Sequence, residues 1–145
     1  MNKSVKIQVR FSDLDVLGHV NNSVYLSYFE MARVAFFSPL MGEKWDWKKN
    51  GVILRKNEVE YLIPVLLHEE PEITIYTSSI GTKSFTLEYE LKVGEKLCTT
   101  GYSLLVCFDA FNNKTIEIPK EMRIVLEGLK RNNNWFINYL KSKWW

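Results

Sequence analysis

Residues 10–33, RFSDLDVLGHVNNSVYLSYFEMAR, decide how the rest of the chain is read. They begin as the end of an alternating segment and pass through a polar turn holding Asp13, Asp15 and His19. The strongest helical pattern in the sequence follows. Residues 23–38 contain neither Gly nor Pro, and Pro39 predicts where the helix stops. Tyr25, Tyr28, Phe29, Ala32 and Phe36 recur at i, i+3, i+4, i+7 and i+11, which is one apolar face. Ser23, Ser27, Glu30 and Arg33 form a narrow polar stripe opposite, with Glu30 and Arg33 spaced for an ion pair. A face this wide belongs to a helix largely surrounded by protein. Asn21, Asn22 and Ser23 supply its expected N-cap.

A helix N-terminus presents unpaired backbone N–H groups and a partial positive charge. A carboxylate and an imidazole stand just before this one. That combination suits chemistry in which negative charge develops on a carbonyl oxygen beside a base or nucleophile. The competing reading makes Asp15 a turn residue and Asn22 a cap, the ordinary employment of both types. His19 reads equally as a partner of Asp15 or as a turn histidine fixed through its backbone. Asp13 reads as a local backbone acceptor.

The segment DLDVLGHVNNSVYLSYFEMAR resembles the signature of hotdog-fold thioesterases of the 4-hydroxybenzoyl-CoA thioesterase type, and the likeness extends over roughly residues 3–130. The resemblance implies an α+β hotdog fold, an antiparallel sheet wrapped around one long central helix. It implies hydrolysis of an acyl-CoA thioester, and the apolar helix face at Tyr25, Tyr28 and Phe29 favours medium- or long-chain fatty acyl groups. Asp15 is then the catalytic carboxylate, Asn22 supplies the backbone N–H that polarises the carbonyl, and His19 tunes or positions Asp15. Tyr25, Tyr28 and Phe29 are expected along the acyl chain. No metal and no cofactor is implied, and a homodimer or homotetramer is. The chain departs from the plant acyl-ACP thioesterases of the superfamily, which carry an Asn where Leu17 stands and an acid and a Cys near Ile63, Pro64 and Val65. It departs from enoyl-CoA hydratases in the same way at Leu17, and in having His19 four residues after Asp15 instead of five. A non-catalytic acyl-CoA-binding protein on this fold is the remaining alternative.

The rest of the chain agrees with one domain. Its 145 residues, 46% of them hydrophobic, suffice for a globular core. A net charge of +2 gives no electrostatic case for nucleic acid. Cys98 and Cys107 have neither metal-ligand spacing nor a disulfide framework, and at odd separation in one strand they are expected on opposite faces. The N-terminal residues lack an apolar leader segment, so a cytoplasmic location is expected. Val5, Ile7, Val9 and Phe11 alternate as a first strand, 52–63 reads as a second, and 72–80, 84–93 and 96–108 as an antiparallel meander. Trp45 and Trp47 cover the helix end or cap a cleft. Pro119 opens a closing helix to about Leu129. Residues 1–130 form the expected domain. Residues 131–145 are an aromatic extension read as packing on that domain, since one short segment of this kind gives only marginal membrane binding.

Overall fold

The structure, a computed structural model, describes residues 4–131. Strand β1 (Ser4–Lys6) leads into helix α1 (Val24–Met41), and then come β2 (Gly51–Tyr61), β3 (Glu72–Ile80), β4 (Ser84–Val93), β5 (Lys96–Asp109), β6 (Lys114–Thr115) and α2 (Lys120–Gly128). The sheet order is β1-β3-β4-β5-β2, with β6 on β5, and every pairing is antiparallel. This is the hotdog arrangement, in which the meander forms the middle of the sheet and α1 lies across its inner face.

Strict alternation makes β4 two-faced. Phe85, Leu87, Tyr89 and Leu91 are buried, while Ser84, Thr86, Glu88 and Glu90 turn to the other side. Each such apolar side chain contributes about 1.5–3 kcal/mol when fully buried. The helix meets this face through Phe29, whose ring stacks on Tyr89 at 4.4 Å and 6°. Directly opposite Tyr89 in the ladder is Gly101, where a Cβ would come within 2.7 Å of the Phe29 ring. The missing side chain is what lets the helix approach this closely.

Several expectations change. The first strand pairs with β3 over only three residues, because the next position faces Pro71, which has no N–H to give and accepts from the Ile7 N–H at 2.9 Å. Phe11 accordingly leaves the ladder and is 81% exposed. Helix α1 runs two residues beyond Pro39, since a proline in the last turn forfeits a single hydrogen bond, and Gly42 (φ +86°) ends it instead. Cys98 and Cys107 are both buried, because the β4–β5 register shifts beside Cys98 and breaks the alternation. Among the described residues no helix is long and apolar enough to cross a membrane. Residues 132–145, nearly all of the aromatic extension, lie outside the described residues.

Candidate active site

The loop before α1 is built by two aspartates with opposite employments. Asp13 is buried (4% exposed), and its Oδ2 accepts from the Arg10 N–H at 2.9 Å and the Tyr28 hydroxyl at 2.7 Å. The Arg10 guanidinium stands 3.7 Å from its other oxygen. Asp13 therefore clamps the loop to the helix. Burial first, and this carboxylate second, push the Tyr28 phenol well above its ordinary value.

Asp15 is only half-buried. Its Oδ1 accepts from the Leu17 N–H at 2.9 Å and the His19 N–H at 3.1 Å, while its own N–H donates to the His19 carbonyl at 2.7 Å. The tight return uses Gly18 at φ +76°. Among the described residues Oδ2 has no hydrogen-bond partner, so one oxygen is fixed and the other is offered. The strip then ties down through bridges from Leu14 to Val20 and from His19 to Leu66.

At the helix start Ser23 stands at the N-cap without a capping bond from its own side chain, and Asn21 supplies the capping oxygen. The Asn21 Oδ1 accepts from the Ser23 N–H at 3.1 Å and the Ser23 hydroxyl at 3.0 Å, and its carbonyl takes the Val24 N–H at 2.9 Å. The Asn22 N–H donates to no group among the described residues. The Asn22 carbonyl accepts from the Tyr61 hydroxyl at 2.8 Å, which fixes the residue from the end of β2. Asp15, His19, Asn22, Tyr25 and Tyr61 line a pocket of about 140 Å³. Leu62, Ile63 and Pro64 form its far wall. Tyr25 meets Tyr61 edge-on at 5.2 Å and 71°, and burial pushes its phenol up.

Four of the six expected site residues, Asp15, His19, Asn22 and Tyr25, thus share one pocket. Tyr28 and Phe29 do not line it; both are buried under α1, held by Asp13 and by Tyr89. His19 meets Asp15 through its backbone N–H. Tyr61 was missed, although its period-2 relation to Val59 and Asn57 places it on the helix-facing side of β2. Among the described residues no group of three or more His, Cys, Asp or Glu is placed to hold a metal ion.

The chain is similar to known proteins over most of its length. A family model described as the thioesterase-like superfamily matches residues 9–126. An uncharacterised protein of Bacillus subtilis, YsmA, is 33% identical, over 83% of this chain and 82% of its own. The long-chain acyl-CoA thioesterase FadM of Escherichia coli is 30% identical, over 86% of this chain and 96% of its own. A solved Thermus thermophilus thioesterase, complexed with coenzyme A and zinc, superposes with a TM-score of 0.76. It is 31% identical, over 88% of this chain and 92% of that one.

Proposed function

The chain belongs to the thioesterase-like superfamily, and from that membership we propose that it hydrolyses acyl-CoA thioesters to the free acid and coenzyme A. The observation that carries the reading is the half-tethered Asp15 carboxylate in one pocket with Asn22, whose N–H has no partner among the described residues. The thioester carbonyl oxygen lies against the Asn22 N–H, where the helix N-terminus stabilises the charge that develops on it. Asp15 Oδ2 either attacks the carbonyl carbon, giving a mixed anhydride and releasing the thiolate, or takes a proton from the attacking water. His19 holds Asp15 in this attitude through its backbone, and Tyr25 forms the wall beside the carbonyl.

Medium- and long-chain fatty acyl groups are the proposed substrates, supported by likeness to a long-chain acyl-CoA thioesterase. A pocket of about 140 Å³ holds the thioester and the first carbons only. The acyl chain then leaves over Tyr61, Leu62 and Ile63, along the β2 edge that carries no further strand among the described residues. A second copy covering that edge completes the acyl path, so the proposed assembly is a homodimer or homotetramer. The test is thiol release from acetyl- to palmitoyl-CoA. A rate rising with chain length and abolished by Asp15→Asn supports the proposal. Acyl-CoA binding without turnover assigns the chain to non-catalytic binding.

A further inference from the structure

A second and larger cavity, of about 430 Å³, opens between the later turns of α1 and the sheet. Phe37, Phe85, Leu87, Leu105 and Met122 make it apolar, and Trp47 stands at its rim. That volume falls in the range of small-molecule sites. One wall is not apolar. Arg33 lines the cavity, half-buried, and its Nη1 donates to the Tyr89 hydroxyl at 2.9 Å and to Ser103 Oγ at 3.4 Å. Ser103 in turn donates to Asn57 Oδ1 at 2.6 Å.

The charge in this network is unbalanced. Arg10, Lys56, Lys92, Lys96, Lys130 and Arg131 each stand against a carboxylate. Arg33 forms no ion pair among the described residues, and unlike other unpaired cations such as Arg55 and Lys83 it lines the apolar cavity. The helix-face pairing with Glu30 does not form, because the guanidinium turns to the sheet while Glu30 stays at the exposed mouth of the cavity. A guanidinium has five N–H donors, and both hydrogen bonds here leave from Nη1. Tyr89, Ser103 and Asn57 stand behind Arg33 and do not line the cavity, so what the wall presents there is donor capacity with a positive charge. A plain alkyl chain would strip water from that cation and return nothing. A carboxylate would return a charge-assisted, bidentate partner.

We propose that this cavity binds an aliphatic carboxylate, its head on Arg33 and its chain among Phe85, Leu87 and Leu105. The carboxylate has two sources: the free acid, which is the product class if the proposed reaction holds, or the far end of an ω-carboxyacyl thioester. Isothermal titration of the whole protein with decanoate and 1-decanol tests the binding without any turnover. Decanoate should bind at least tenfold more tightly, the scale of a hydrogen bond to a charged group. Affinity should rise roughly fourfold per methylene from hexanoate to decanoate. Arg33→Gln should cost decanoate at least tenfold and leave decanol unchanged, with Arg33→Lys recovering part of the loss. Val34→Trp, at an exposed cavity-wall position that tolerates bulk, should block both ligands. Equal binding of acid and alcohol, undiminished decanoate binding in Arg33→Gln, or no saturation at millimolar decanoate would overturn the proposal.

The Asp15→Asn protein should bind decanoate like wild type. Wild-type protein that binds decanoate but releases no thiol from acyl-CoA tells against the reaction alone, and wild-type protein that hydrolyses acyl-CoA but does not bind decanoate tells against the cavity alone. The sources separate kinetically. If the ligand is the free acid, Arg33→Gln weakens inhibition by decanoate at least tenfold. If it is the substrate's far end, the variant lowers the ratio of kcat/KM for ω-carboxyacyl-CoA over acyl-CoA by a similar factor.

Discussion

The two ends of α1 meet negative charge by different means. At its start, the proposed oxyanion donor is a backbone N–H on Asn22, a fixed partial charge in a small polar pocket. Eleven positions later, roughly 16 Å along the axis, Arg33 carries a full charge in a large apolar cavity. A partial charge from the backbone costs little to keep when no anion is near, so it suits a charge that exists only during a reaction. A guanidinium in an apolar wall is costly when unmatched, so it suits an anion that is there in the resting complex. The two aspartates of the loop differ in the same spirit: Asp13 has its reach used up by Tyr28 and Arg10, whereas Asp15 keeps one oxygen unengaged.

That last contrast is the easiest to break. Asp15→Asn should lower kcat for acyl-CoA hydrolysis by about 10² or more, with an unchanged circular dichroism spectrum. Folded protein turning over within about threefold of wild type would remove Asp15 from its proposed role. Asp13→Ala should do the reverse. It leaves the Tyr28 hydroxyl and the Arg10 N–H without their acceptor and should cost about 2–3 kcal/mol in urea denaturation, while turnover per folded molecule stays close to wild type. If activity falls more than stability, the two carboxylates share the chemistry.

Tyr61→Phe sharpens the comparison at the helix start. It deletes the hydrogen bond that holds the Asn22 carbonyl and keeps the ring against Tyr25. We expect kcat to fall about fivefold, the worth of one neutral hydrogen bond, with the same KM. An effect on KM alone would make Tyr61 a wall of the acyl path and not a support for Asn22.

The smallest effect concerns a buried thiol under α2. Burial pushes Cys107 up to about 11, against 9.0 in an unfolded chain. Its folded value is raised, so the stability tied to the neutral thiol is fully present below pH 9 and declines between 9 and 11, where only the unfolded chain ionises. The urea midpoint should drop from pH 8 to pH 10, and Cys107→Ala should flatten that drop. An identical drop in the variant would assign it to other groups, such as the buried tyrosines.

How much of this could be read from the sequence depended on how local the physics was. Helix α1 and the meander stand out because their periods repeat over many residues. The helix face at Tyr25, Tyr28, Phe29, Ala32 and Phe36 is buried, as its spacing predicts. The first strand was shortened by Pro71, a residue far along the chain that its own alternation could not reveal. Asn22, Asp15 and His19 lie together because seven residues of loop return on themselves, which their turn chemistry suggests. Tyr28 was expected along the acyl chain because its i+3 spacing from Tyr25 says nothing of an aspartate fifteen residues back. Tyr61 and the Arg33 network were out of reach for the same reason. Their partners are a backbone carbonyl 39 residues away and two hydroxyls 56 and 70 residues away.

The tether on Asp15 Oδ1 also makes the two carboxylate oxygens inequivalent. A half-turn of the carboxylate breaks both N–H contacts before re-forming them on the other oxygen, and isotopic memory reads whether that happens within one turnover. In ¹⁸O water, general-base catalysis puts label into the first acid released, as does an anhydride opened at its acyl carbon. If water instead opens the anhydride at the carboxyl carbon of Asp15, the first acid leaves with the enzyme's own unlabelled oxygen and the label stays on Asp15. With a pinned carboxylate the labelled oxygen is the one presented again, so the second acid is labelled almost fully. A freely turning carboxylate would label it by half.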